Sequence, residues 1–176
     1  MPRFNELPIG EDAPDAVNAV IEIPKGSKNK YEYSPELDVF ALDRVLPGPL
    51  RFPAAYGFVP QTVAPDGDEL DILVIQDEPV AMAVMVAARP LAKLRMTWTG
   101  ADKVDEKIVS VSLNDPRYRD YRALDALPEH YMAEIDYFFR SYLDLTDPGI
   151  VTEWADASAA RDVVRSAHES WRTSRG

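Results

Sequence analysis

Four carboxylates stand within six residues at Asp66-Gly67-Asp68-Glu69-Leu70-Asp71, and the chain runs from them straight into Ile72-Leu73-Val74-Ile75. That apolar run has the character of a buried strand. The acids therefore sit at the mouth of a core and not on a loose tail. Two like charges about 4 Å apart repel by about 1 kcal/mol in water, and by more where water is scarce. A cluster this dense either stays fully solvated or is neutralised by a cation. Gly67 lets the backbone turn sharply enough for several carboxylates to converge. Hard divalent cations such as Mg²⁺ take oxygen ligands, typically a few carboxylates with water and phosphate oxygens. The plain alternative is a polar turn, because Asp and Gly are good turn formers. An EF-hand fits poorly, since its loop needs Gly at the sixth position, where Asp71 stands.

The rest of the chain supplies strands first and helices last. Residues 1–16 are rich in Pro, Gly and acid and read as an irregular arm. Short β-rich runs follow at Val17 to Ile23, Lys30 to Tyr33, Asp38 to Leu42 and Tyr56 to Val63. Four more cover Ile72 to Gln76, Ala81 to Arg89, Ala92 to Thr97 and Lys107 to Leu113. Such spacing predicts a small closed antiparallel β-barrel. Helical periodicity appears only near the C-terminus. Pro128 and Glu129 suit a helix start, and Leu127, Tyr131, Ile135, Phe138 and Tyr142 recur at steps of three and four. A second helix is expected from an Asp156 N-cap, burying Ala160, Val163, Val164, Ala167 and Trp171. The reading is a single α+β domain over 1–176, with two C-terminal helices flanking the barrel.

Charge and composition narrow the chemistry. The net charge of −11 argues against nucleic acid or an anionic membrane as partner. It also means that a small anionic substrate must be met by metal ions and local cations. With no cysteine there is no disulfide framework, thiolate nucleophile or zinc–thiolate site. The chain has no 18-residue apolar segment, and its N-terminus lacks a charged-then-apolar pattern, so a cytoplasmic enzyme is expected.

Polar residues with chemical potential gather where strands meet loops. Glu22 and Glu32 can face one cavity from neighbouring strands. Lys30, Arg44 and Lys107 supply cations, Tyr56 a phenol, and Asp105 a carboxylate two residues before Lys107. Phosphate recognition uses this mixture: metals and Lys or Arg neutralise oxygens, while carboxylates hold metals and position water. Singly, each of these side chains also suits a solvated strand face. His130 and His168 fall on the polar sides of the expected helices and form no triad.

Taken together these segments resemble the soluble, single-domain, metal-dependent inorganic pyrophosphatases. The matching motifs are Ile21-Glu22-Ile23-Pro24, Lys30-Tyr31-Glu32, Asp43-Arg44 and Pro53-Ala54-Ala55-Tyr56-Gly57-Phe58-Val59. The Asp66 to Asp71 signature, Arg89-Pro90-Leu91 and Phe138-Phe139-Arg140-Ser141-Tyr142 complete the set. The resemblance implies an OB-like barrel flanked by helices, dependence on Mg²⁺ (with Mn²⁺ as an alternative) and hydrolysis of pyrophosphate to two phosphates. By position it implies that Asp66, Asp71 and Asp105 bind metal and that Asp68 is the general base. Lys30, Arg44, Tyr56, Lys107 and Tyr142 would hold phosphate, and Glu22 and Glu32 would order water and outer metal contacts. It also implies a homo-oligomer, a hexamer in small members.

Three positions depart from the pattern. After Met96, where an Asp-Glu pair is usual, the chain reads Thr97-Trp98-Thr99-Gly100-Ala101-Asp102, in a segment about two residues longer than expected. Asp102 is a candidate substitute for the missing ligand. Leu143 replaces a Lys, and Phe52 replaces a Tyr. These changes spare the water-activating acids and thin the side that binds the second phosphate. They raise two rival readings: an enzyme of the same fold turned to another substrate such as an organic phosphate, or a weak or non-catalytic member.

Overall fold

The structure, a computed structural model, describes residues 3–100, 102–141 and 150–175. Among the described residues eight strands and two α-helices run in the order β1 (Val17–Ile23), β2 (Asn29–Ser34), β3 (Val39–Val45), β4 (Ala55–Val59), β5 (Leu70–Ile75), β6 (Met85–Trp98), β7 (Val104–Ser112), α1 (Glu129–Ser141), β8 (Ile150–Ala155) and α2 (Ala157–Ser174). β1, β4, β5, β7 and β6 pair in turn, and β6 returns to β1, so five strands form a closed ring. Four of the five pairings are antiparallel; β5 and β7 run parallel, with Ile72 opposite Ile108. β2 and β3 form a separate antiparallel ribbon.

Alternation along the strands sorts the side chains into two sets. On β5, Leu73 and Ile75 join the cluster beneath α1, where they meet Ile135, Phe138 and Phe139. Ile72 and Val74 join a second cluster with Ala160, Val164 and Ala167 of α2. The same parity holds on β7, where Val109 and Val111 belong to the first cluster and Ile108 to the second. Asp71 and Lys107 therefore lie on the α1-facing side, each one residue before the paired Ile72 and Ile108. Register alone makes them neighbours. Full burial of Ile72, Leu73 and Ile75 contributes about 1.5–3 kcal/mol each, so the strand that presents Asp71 is firmly anchored.

Several boundaries differ from expectation for identifiable reasons. β4 stops at Val59 because Pro60 follows. Ala81 to Thr97 was expected as two strands broken at Pro90; β6 instead runs unbroken from Met85 and takes up the proline at a register shift between Pro90 and Ala92. β8 was not anticipated; Ile150-Val151-Thr152-Glu153-Trp154 adds an edge to β6. Helix α1 starts at the expected place, and α2 is capped by Asp156, whose carboxylate accepts from Ala159 N at 2.9 Å. Within the N-terminal arm, Phe4 packs edge-on against Tyr33 and Phe40, and Ile9 is buried.

Asp115 supplies a pH-sensitive lock beside the ring. Its carboxylate accepts from Arg117 Nε at 2.8 Å, Arg117 N at 3.1 Å and Asp77 N at 3.1 Å. The Arg117 side-chain hydrogen bond holds its pKa down at about 2, with burial opposing and the two backbone donors assisting. A depressed folded-state pKa stabilises above the unfolded value of about 4 and stops doing so as pH falls through the folded value. Asp115→Asn is thus expected to lower Tm by a few degrees at neutral pH. Thermal melts between pH 7 and pH 2 should show the gap to the parent closing between about pH 4 and pH 2.

Candidate active site

The acidic turn leads into β5 through a tight set of local bonds. Gly67 adopts φ +98°, and its N–H donates to Ala64 O at 3.0 Å. Ala64 N donates to Asp68 O at 2.7 Å, and Asp68 N donates to the Asp66 carboxylate at 3.2 Å. Glu69 accepts from Asn5 Nδ2 at 2.7 Å, which ties the N-terminal arm to the turn.

The turn forms one wall of a cavity of about 500 Å³. Asp66, Asp68 and Asp71 line it from this side, and Asp105 and Lys107 from β7. Glu22 enters from β1, Tyr56 from β4, and Lys30, Glu32 and Arg44 from the β2–β3 ribbon, where Lys30 and Arg44 are register partners. The expected site residues among the described ones are thus brought to a single cavity. Tyr142 and Leu143 lie outside the described residues.

Lys107 is the centre of the cavity floor. Its side chain is only 5% exposed, and its ammonium bonds to Asp71, to Asp105 at 2.8 Å and to the Tyr56 hydroxyl at 2.9 Å. The Tyr56 hydroxyl in turn donates to Asp71 at 2.5 Å. Burial alone would lower the Lys107 pKa; the carboxylates of Asp71 and Asp105 reverse this and hold it above the ordinary lysine value. The Phe139 ring lies 5.7 Å from the same ammonium, so α1 reaches the site through an aromatic face. At the rim, Lys30 pairs with Glu32 and, at 2.9 Å, with Asp43.

Two of the acids, Glu22 and Asp68, hold their protons more tightly than usual, chiefly through burial. Burial pushes the Glu22 pKa up to about 8, with Asp71 and Glu32 adding repulsion and the Tyr33 N–H, which donates to it at 2.7 Å, opposing. Asp68 is also raised, first by burial and then by Asp66 and Asp71. Among the described residues no three acidic or imidazole side chains close into a ready metal cage. The donor chemistry nonetheless fits a hard divalent cation. Every acidic ligand offered is a carboxylate oxygen, and the mutual repulsion within the cavity is of the kind a divalent charge relieves.

The cavity also contains residues that the sequence reading passed over. Tyr31 and Tyr33 line it, and Tyr33 is fixed by donating its hydroxyl to Asp38 at 2.7 Å. Their alternation on β2 was the signal available. Lys103 lines the wall as well, beside Trp98, which stands where the sequence departs from the family pattern; Asp102 is exposed and does not contribute to the lining. Phe52 is fully buried against Tyr56 and Phe138, a setting that suits a ring without a hydroxyl.

Residues 19–172 match the family model described as inorganic pyrophosphatase. The chain belongs to the inorganic pyrophosphatase family. It is 43% identical over 159 residues to the inorganic pyrophosphatase of Synechocystis sp., covering 89% of this chain and 92% of the relative. It is 40% identical over 170 residues to that of Thermus thermophilus, covering 94% and 96%. The crystal structure of inorganic pyrophosphatase from Thermus thermophilus superposes with a TM-score of 0.91 at 37% identity, covering 97% of this chain and 99% of that one. An inorganic pyrophosphatase structure from Neisseria gonorrhoeae gives 0.87 at 35% identity, covering 96% and 99%. The OB-like pyrophosphatase fold read from the motifs is thereby established. The reading of a fold-mate turned to an organic phosphate draws no support from these relatives. Among the described residues no helix is long and apolar enough to cross a membrane.

Proposed function

We propose that the protein hydrolyses inorganic pyrophosphate to two phosphates with Mg²⁺, or alternatively Mn²⁺, as cofactor. The observation that carries this reading is the convergence of the acidic turn, Asp105, Lys107, Tyr56 and the Lys30–Arg44 pair on one cavity in a member of this family. Asp66, Asp71 and Asp105 are assigned to the metals. Bound divalent cations supply Lewis acidity, lowering the pKa of water and neutralising phosphate oxygens.

The chain's own residues divide the remaining work. Asp68, with its raised proton affinity and its place in the cavity wall, accepts the proton of the attacking water as the new O–P bond forms and the bridging P–O bond breaks. Lys30, Arg44, Tyr56 and Tyr142 orient the two phosphoryl groups. Lys107, protonated and fixed, takes up charge developing on their oxygens. Glu22 and Glu32 hold water and outer metal contacts. We place the enzyme in the cytoplasm as a homo-oligomer, by resemblance a hexamer. The exposed apolar side chains of Met82, Val84 and Met85, 38%, 38% and 47% accessible, suit such an assembly.

Phosphate release from pyrophosphate, with millimolar Mg²⁺ and after chelation, tests the reading. Chelation is expected to remove activity to background, and Mg²⁺ to restore it. Saturating Mg²⁺, at about 100 times its Kd, should also stabilise the fold by about 2.7 kcal/mol, read as a rise in Tm. Turnover unaffected by chelator, or none with Mg²⁺ present, would overturn the proposal.

A further inference from the structure

The cations of this cavity are not equivalent. Lys107 is committed to Asp71 and Asp105, and Lys30 to Glu32 and Asp43. Lys103 also lines the cavity, yet it makes no ion pair among the described residues. Its ammonium stands over the Trp98 ring at 4.5 Å, and Trp98 N donates to Lys103 O at 3.5 Å. An indole face attracts a cation without neutralising it, so the ammonium keeps its full charge for a further ligand. Trp98 is half-buried and lies at the end of β6, paired with Ile150 of β8, so the ring is a fixed platform for a flexible side chain.

We infer that Lys103, held over Trp98, is a further anion-binding residue of this site, a cation that engages the entering substrate's phosphate oxygens alongside Lys30 and Arg44. The identity of that ligand rests on the pyrophosphate reading above. Because Lys103 is exposed and makes no ion pair with the acids among the described residues, its attraction acts on bound substrate and transition state alike. Such uniform binding appears in KM and not in kcat. Trp98 is a positioning residue, acting only through Lys103.

The test pairs steady-state kinetics on pyrophosphate with calorimetric binding of methylenediphosphonate, a bisphosphonate the enzyme cannot cleave, both at millimolar Mg²⁺. Lys103→Ala is expected to raise KM, and the bisphosphonate Kd, by about 5- to 20-fold while kcat moves by less than about threefold. Lys103→Arg should recover most of the loss. Trp98→Leu should raise both constants by a smaller factor, and the double variant should be no worse than Lys103→Ala alone, since both changes remove one interaction. The parent's KM should also climb more steeply with added salt than that of Lys103→Ala. Unchanged KM and Kd in a folded Lys103→Ala protein overturns the assignment. A parent that cleaves no pyrophosphate but binds the bisphosphonate in a Lys103-dependent way overturns the pyrophosphate reading and leaves Lys103 as an anion ligand. A parent that does neither overturns both.

Discussion

Asp68→Asn is expected to reduce kcat on pyrophosphate by about 10²- to 10⁴-fold, the range that a positioned general base contributes. The change removes proton affinity and little else. The bonds that shape the acidic turn use Asp68 backbone atoms, its N–H to Asp66 and its carbonyl from Ala64, and the amide side chain is isosteric. Stability should hold or rise slightly, because Asp66 and Asp71 repel the carboxylate in the parent. The measurement is initial phosphate release at saturating Mg²⁺ and pyrophosphate, alongside a thermal melt. A variant that keeps kcat within about threefold of the parent is incompatible with Asp68 as the base.

Gly57→Ala is expected to destabilise the fold by more than about 3 kcal/mol, at the severe end for a single methyl group. A Cβ at this position would stand 1.9 Å from Val20 O, 2.9 Å from Val20 C and 3.0 Å from Glu22 N. All three are backbone atoms of the paired strand and cannot rotate away. Gly57 faces Ile21 where the β1–β4 register slips, so β1 comes closest there and its irregularity delivers Glu22 to the cavity. Urea unfolding reads the loss in free energy, and Tm should fall by roughly 6 °C or more. Gly67→Ala is the control. Its Cβ meets nothing within 4 Å, leaving only the cost of φ +98°, about 1–2 kcal/mol. A Gly57→Ala protein with the parent's urea midpoint would show that the two backbones can part without penalty.

The sequence was most informative where chemistry and periodicity coincide. The run from Asp66 to Ile75 disclosed both the acidic turn and the strand behind it, because apolar residues and crowded charge leave few alternatives. The helices declared themselves through steps of three and four, and Asp156 caps α2 as its side chain suggested. Partner choice was not legible. Nothing local tells β5 to lie parallel to β7, since that pairing depends on β7 returning along β6 to lie between β5 and β6. Pro90 looked like a strand end because the sequence does not reveal the bulge that accommodates it. β8 was hidden by its brevity between two stronger helical signals. Within the site, residue types were readable but commitments were not. Lys107 looked like one cation among several, and only the folded chain shows it bonded to Asp71, Asp105 and Tyr56. Lys103 is not legible as a site residue because it falls in the segment whose length departs from the family pattern.

The parallel seam between β5 and β7 has a consequence for how the enzyme is born. Asp71 and Lys107 are 36 residues apart in the chain and become neighbours only across that seam. Such non-local pairing is slow to form, because loop-closure entropy must be overcome before any contact rewards it. Half-made molecules can carry hairpins and helices and still lack a working centre. Catalytic competence in a newly synthesised chain therefore requires the β5–β7 seam to close, since that pairing sets Lys107 beside Asp71.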